Sequence, residues 1–335
     1  MYGLDILAEL SRIANDRVSG ASKLFDMTCR ALGLWAEECI KSRTLNEEAL
    51  KNVLKALTNV HPTMAPLRAL TTLVGEIVES HESLDCKFRR LSSLAGVLRA
   101  YRAECLRLIA ERFREIVEGR VKVFTLSFSS VVYNTLRSCK SLVDEVLIVE
   151  SRPGSEGLRL AEKLANLGFR VHVAHDSCIP RIVGKADLTL LGADTLLPDG
   201  SFVNKVGSLA TAIACREYDV ELVVAVEPYK IAQWAKGVED VEVERWNLDE
   251  LKVHENVEVE SEVFEEVPSK YVDTYIIGGR VVKDRRVIPK VYREFVKEIM
   301  ERTCKKSERR NIEPIVIFQF PSYDFRLEHG FATHH

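Results

Sequence analysis

The stretch Gly192 to Ser208, GADTLLPDGSFVNKVGS, sets an aspartate, an Asp-Gly turn, an Asn-Lys pair and a glycine directly after the apolar run Leu188 to Leu191. A plain connection needs only the turn. Three further places in the chain put polar or small residues just after an apolar run: TLSFSS (Thr125 to Ser130) with Ser127 and Ser129, ESRPGSEG (from Glu150) with Arg152 beside a Pro-Gly turn, and HDSCIP with Asp176 and Cys178. Arg152 and Lys205 can neutralise a phosphate, and helix N-termini can supply amides to it. Asp194 can hold hydroxyls or move a proton. Together these groups suit a small phosphorylated ligand, a sugar phosphate or a nucleotide. Neither the dinucleotide fingerprint G-x-G-x-x-G nor the P-loop lysine motif is present.

Each residue also has a plain structural explanation. Arg152 taken alone reads as a solvated or capping charge, and Asp194 as a turn-capping carboxylate. Lys205 at a helix start is disfavoured by the helix dipole, which points toward a ligand. Cys178, without a neighbouring base, reads as a small packed group rather than a nucleophile. His172 and His175 alternate with valines and have no third ligand at metal-site spacing, so no metal and no cofactor are expected. The coincidence of several such groups carries more weight than any one of them.

The elements that must position them follow from hydrophobic period. Residues 1–118 have apolar residues at helical spacing, with helices expected at 21–42, 46–58, 66–80 and 86–117. From Val121 short Val/Ile/Leu runs alternate with helical stretches, as in a parallel α/β sheet. Strands are expected at 121–126, 145–150, 170–175, 187–192, 221–227 and 273–277, with helices at 129–139, 155–167 and 206–217. The polar loops then share the carboxyl edge of one sheet, the usual ligand side of such folds. The expected organisation is a helical N-terminal domain (1–118), a Rossmann-like α/β domain (119–302) and an unassigned tail (303–335). The apolar strand in YVDTYIIGG is expected at a sheet edge that self-association buries, at least in a homodimer; the tail is unassigned, with IVIFQF its one stretch of strand-like composition.

Composition narrows the class. The 335 residues carry 47 Lys and Arg against 50 Asp and Glu, a formal net charge of -3, which does not favour nucleic acid or membrane surfaces as partners. Eight scattered cysteines without C-x-x-C spacing, and an acidic rather than basic N-terminus, fit a cytoplasmic protein with reduced thiols.

The segments ESRPGSEGLRLAEKLANLGFRVHVAHDS and ADLTLLGADTLLPDGSFVNKVGSLATAIACREYDVELVVAVEP, with DRVSGASKLF and HPTMAPLRAL before them, resemble the family of initiation factor 2B alpha, beta and delta subunits. That superfamily also holds methylthioribose-1-phosphate and ribose-1,5-bisphosphate isomerases. The resemblance covers roughly residues 1–300 and implies a helical domain on a Rossmann-like domain, dimers or hexamers, and the initiation factor 2 alpha subunit as a partner. It implies ligand contacts at Gly20, Ala21, Arg152, Asn204 and Lys205, and a catalytic role for Asp194 in the isomerases. Their catalytic cysteine falls on Ser127, a far weaker acid than a thiol. An arginine expected before Gly20 is Ser19. The implied reading is a non-isomerising regulatory subunit that holds a sugar phosphate or nucleotide. The alternative is an aldose-ketose isomerase acting on a phosphorylated ribose, with Cys178 as the substitute for the missing acid.

Overall fold

The computed structural model describes residues 5–16, 21–241 and 251–307 apart from 261, together with 243, 245, 246 and 248. Five helices come first: α1 (Ile6–Ala14), α2 (Ala21–Ser42), α3 (Glu47–Leu57), α4 (Ala65–Val78) and α5 (Leu84–Ile116). Their starts are set by side-chain caps: Asp5 accepts from the amides of Leu7 and Ala8, Asn46 from Ala49, and Ser83 from Cys86. The expected helices are present to within about two residues at each end, the usual uncertainty of such boundaries.

The α/β part runs β1 (Val121–Thr125), α6 (Ser130–Ser138), β2 (Val143–Val149), α7 (Glu156–Asn166), β3 (Val171–Ala174), α8 (Ile179–Val183), β4 (Leu188–Leu191), β5 (Thr195–Leu196), β6 (Phe202–Lys205), α9 (Ser208–Tyr218), β7 (Glu221–Val226), β8 (Phe264–Val267), β9 (Thr274–Ile277), β10 (Arg280–Val282) and α10 (Ile288–Ser307). The main sheet has the order β10-β9-β7-β4-β1-β2-β3, parallel except for β10 against β9. A second, antiparallel sheet has the order β5-β6-β8. From β1 the chain moves outward through β2 and β3, then returns to lay β4 on the other side of β1. The crevice between β1 and β4 is therefore the switch point where such sheets bind ligands.

Both faces of the sheet are covered, and the alternation of side chains shows it. On β7, Leu222, Val224 and Val226 join the core shared with the N-terminal helices, while Val223 and Ala225 join the core under α6 and α7. The first core also takes in Tyr292, Phe295 and Ile299 of α10, so α10 packs back onto α5 and α4.

Three expectations change. The strand in YVDTYIIGG, β9, is not an edge: β10 pairs along it antiparallel and β7 along the other side. The tail does not start at Thr303, because α10 continues through it to Ser307. The small sheet was not expected at all. The IVIFQF segment lies outside the described residues. No described helix is long and apolar enough to cross a membrane.

Candidate functional site

The loops after β1, β4 and β7 converge on Asp194. Two glycines of the opening stretch shape this edge. A Cβ on Gly192 would collide with the Ser129 hydroxyl, and Gly207 has φ +98°, a backbone region open to glycine. The Asp194 amide donates to the carbonyl of Val203 in β6 (2.9 Å), which fixes the aspartate at the junction of the two sheets. Burial raises its carboxyl above the usual range. Lys230 and Lys205 pull it back, while Glu227 and Glu156 add to the rise.

Lys205 is 1% exposed and already has a partner: its Nζ lies 3.1 Å from Oε1 of Glu156, at the first turn of α7. The indole of Trp246 roofs the ammonium, 4.4 Å from ring centroid to Nζ. Glu156 is itself buried, and its second carboxylate oxygen has no hydrogen-bond partner. Asn204 donates to the Ser208 hydroxyl (2.9 Å), which donates to the Lys205 carbonyl (2.6 Å), so this amide also serves the local turn. The start of α9 is likewise occupied. Pairing of β6 with β8 sets Asn204 opposite Glu265, and Glu265 accepts from the amides of Gly207 (2.7 Å) and Leu209 (2.9 Å).

Glu227 and Lys230, in the loop after β7, are functional candidates that the sequence reading passed over. Glu227 is fully buried. It accepts from the Tyr229 hydroxyl (2.9 Å), lies 3.5 Å from Nε of Arg102 on α5, and lies 3.8 Å from Lys230. Burial opposes its ionisation, but Lys230, Arg102 and Tyr229 outweigh that and hold its carboxyl below the usual range. Lys230 donates to the Ala193 carbonyl (2.8 Å), directly before Asp194. Arg102 also reaches the Ser130 hydroxyl (3.1 Å) at the start of α6. Ala21 opens α2, and one turn on Phe25 stacks on Tyr229 with centroids 5.2 Å apart and planes within 9°. The helical part thus touches the same loop. Gly20 lies outside the described residues.

The remaining sequence candidates make other contacts. Arg152 turns its guanidinium to solvent (66% exposed), 3.4 Å from Glu150. Its backbone amide and that of Ser151 donate to Asp176 (2.7 and 2.8 Å), so Asp176 acts as the clasp of that loop. Ser127 has φ +58° and donates its amide to the Ser151 hydroxyl (2.7 Å). Cys178 contacts Arg181 (Nη2 to Sγ, 3.5 Å). His175 pairs with Glu150 (2.9 Å), and no cluster able to hold a metal occurs among the described residues.

The sequence profile of the Initiation factor 2 subunit family matches residues 18–278. The chain belongs to that family. It is 33% identical over 242 residues to a translation initiation factor eIF-2B subunit 2-like protein of Pyrococcus abyssi, covering 72% of this chain and 84% of that one. It is 25% identical over 278 residues to a ribose 1,5-bisphosphate isomerase of Archaeoglobus fulgidus, covering 81% and 88%. The crystal structure of translation initiation factor eIF-2B from Pyrococcus horikoshii OT3 superposes with a TM-score of 0.68 at 29% identity, covering 84% of this chain and 98% of that one. Family members related to this chain therefore include both factor-like proteins and isomerases, on the α/β fold described above.

Proposed function

We propose that this member of the Initiation factor 2 subunit family is a non-isomerising, translation-factor-type subunit. It associates with itself, engages the initiation factor 2 alpha subunit, and holds a small phosphorylated sugar or nucleotide without converting it. The observation that carries the reading is the ion pair of Lys205 with Glu156, closed under Trp246. The lysine that would face a phosphate is neutralised by the chain's own carboxylate, and a ligand must displace that carboxylate to bind. Ser127 supports it, since an alcohol at the end of β1 is a poor proton donor near neutral pH. Asp194, Asn204 and Lys205 are the proposed contacts, with Ala21 at the start of α2 and, from the family resemblance, Gly20. Arg152 joins only if its side chain turns inward from solvent.

One observation favours the isomerase reading. The carboxyl of Asp194 is raised by burial, as a group that exchanges protons near neutral pH requires. Incubation of the full chain with ribose 1,5-bisphosphate and with methylthioribose 1-phosphate separates the two. The expected result is a rise in thermal midpoint with no ketose product. Product formation at a rate that falls in Asp194→Asn would reject the non-isomerising reading.

A further inference from the structure

Eight cysteines are in the thiol form, and Cys29, Cys105, Cys139 and Cys215 are buried. Cys86 and Cys304 differ, because packing brings them together from opposite ends of the chain. Helix α5 runs antiparallel to the end of α10: Arg90 donates to the Thr303 hydroxyl (3.3 Å) and to the Met300 carbonyl (3.2 Å). One turn earlier on α5 therefore meets one turn later on α10. Cys86 is four residues before Arg90, and the α10 positions facing it are 304 and 307. The Cys86 Sγ indeed lies 3.9 Å from the Ser307 hydroxyl, which in turn donates to the Cys304 carbonyl (2.7 Å). Cys304 sits one turn before Ser307 on the same helical face.

Both thiols are half-buried. Cys304 also lines an open surface depression with Arg90, Met300 and Arg293, which leaves it within reach of a small reagent. Burial raises the Cys86 thiol most, and Cys304 adds to the rise while Arg90 opposes it.

We infer that Cys86 and Cys304 are a redox pair that closes into a disulfide and staples the first turn of α5 to the last turn of α10. The oxidant is a small-molecule disulfide. The Cys304 thiolate attacks one of its sulfurs, that S–S bond breaks, and one small thiolate leaves. The Cys86 thiolate then attacks Cys304 Sγ of the mixed disulfide, forming the protein S–S bond and expelling the second small thiolate. The two protons given up by the cysteines end on the two small thiols. The protein loses two electrons and the reagent gains them.

The consequence reaches the site. Phe295 of α10 packs on Tyr229 (centroids 6.3 Å apart), whose hydroxyl holds Glu227. A bond at positions 86 and 304 encloses most of the chain, including every described strand, and long loops lose the most unfolded-state entropy on closure.

The test uses the full chain treated with glutathione disulfide and then mapped by mass spectrometry without reduction. The expected result is a Cys86–Cys304 cross-linked peptide, and a thermal midpoint raised by about 5 °C, reversed by dithiothreitol. Cys86→Ser and Cys304→Ser should each remove the cross-link and the shift while leaving the reduced protein's midpoint near the wild-type value. Glutathione carried separately on Cys86 and Cys304 with no cross-linked peptide would overturn the inference, as would a midpoint rise that survives in both variants.

Discussion

Replacing Glu156 by Gln keeps shape and removes one charge from the pair that closes the site. Lys205 and Glu156 have side chains 2% and 8% exposed, 3.1 Å apart. Removing one partner of a buried ion pair costs about 3–5 kcal/mol, because the other charge stays desolvated. The new amide oxygen still accepts from Nζ, and the Trp246 face keeps a cation–π contact of about 0.5–2 kcal/mol, so a net loss of about 2–3 kcal/mol remains. With 335 residues and an unfolding entropy of about 2.1 cal/mol/K per residue, the slope is roughly 0.7 kcal/mol per degree and the midpoint falls by about 3–4 °C. The assay is thermal unfolding at fixed pH, repeated with inorganic phosphate. Phosphate should recover more of the midpoint in Glu156→Gln than it adds to wild type, because the competitor for Lys205 is gone. The double variant Glu156→Gln/Lys205→Met should recover most of the loss, since no unpaired charge is left. An unchanged midpoint in the single variant would refute the energetic reasoning. A lowered midpoint with no larger phosphate response would refute the competition.

Glu265→Gln should destabilise by about 1–2 kcal/mol, because the charge accepting from Gly207 and Leu209 at the start of α9 becomes a neutral amide; faster hydrogen exchange at Leu209, with exchange in α6 unchanged, checks it. Asp194→Asn should raise the midpoint at neutral pH. A carboxyl raised in the folded state binds more protons there than in the unfolded chain, so wild-type stability falls as pH rises from about 4 through the raised value. The difference between variant and wild type should shrink to a pH-independent value on acidification below about pH 3, where both unfolded and folded Asp194 are protonated; a difference that keeps changing with pH there would contradict the assignment.

Much of this architecture was legible because period decides it. The runs at β1, β2, β3, β4, β7 and β9 are short, rich in Val, Ile and Leu, and bounded by polar loops, and the long helices carry an apolar stripe. The small sheet was not legible for a physical reason. β5 is two residues long, and β8 reads FEEV within an acid-rich stretch, where its pairing with β6 outweighs weak local preference. β9 was mistaken for an edge because an apolar run is the same whether its neighbours come from the same chain or another.

The site divides the same way. Asp194, Asn204 and Lys205 were found because they follow a strand at the ligand edge, and the same rule applied to β7 would have found Glu227 and Lys230 in EPYK. Glu156 gave no such signal, since an acid in the first turn of a helix is what the dipole favours in any case. Arg102 is one arginine among many on α5. The consequence is electrostatic. Read from the sequence, the edge was a surplus of positive charge waiting for phosphate. In the structure, three carboxylates, Asp194, Glu156 and Glu227, stand against three cations, Lys205, Lys230 and Arg102. A phosphate entering a balanced cluster brings excess negative charge, so a carboxylate must leave or take a proton. Glu156 can swing away from Lys205, and Asp194, already raised by burial, is the acid nearest to accepting the proton. Phosphate binding to this chain should therefore take up protons, and calorimetric titration in buffers of different ionisation enthalpy would show it as a buffer-dependent heat.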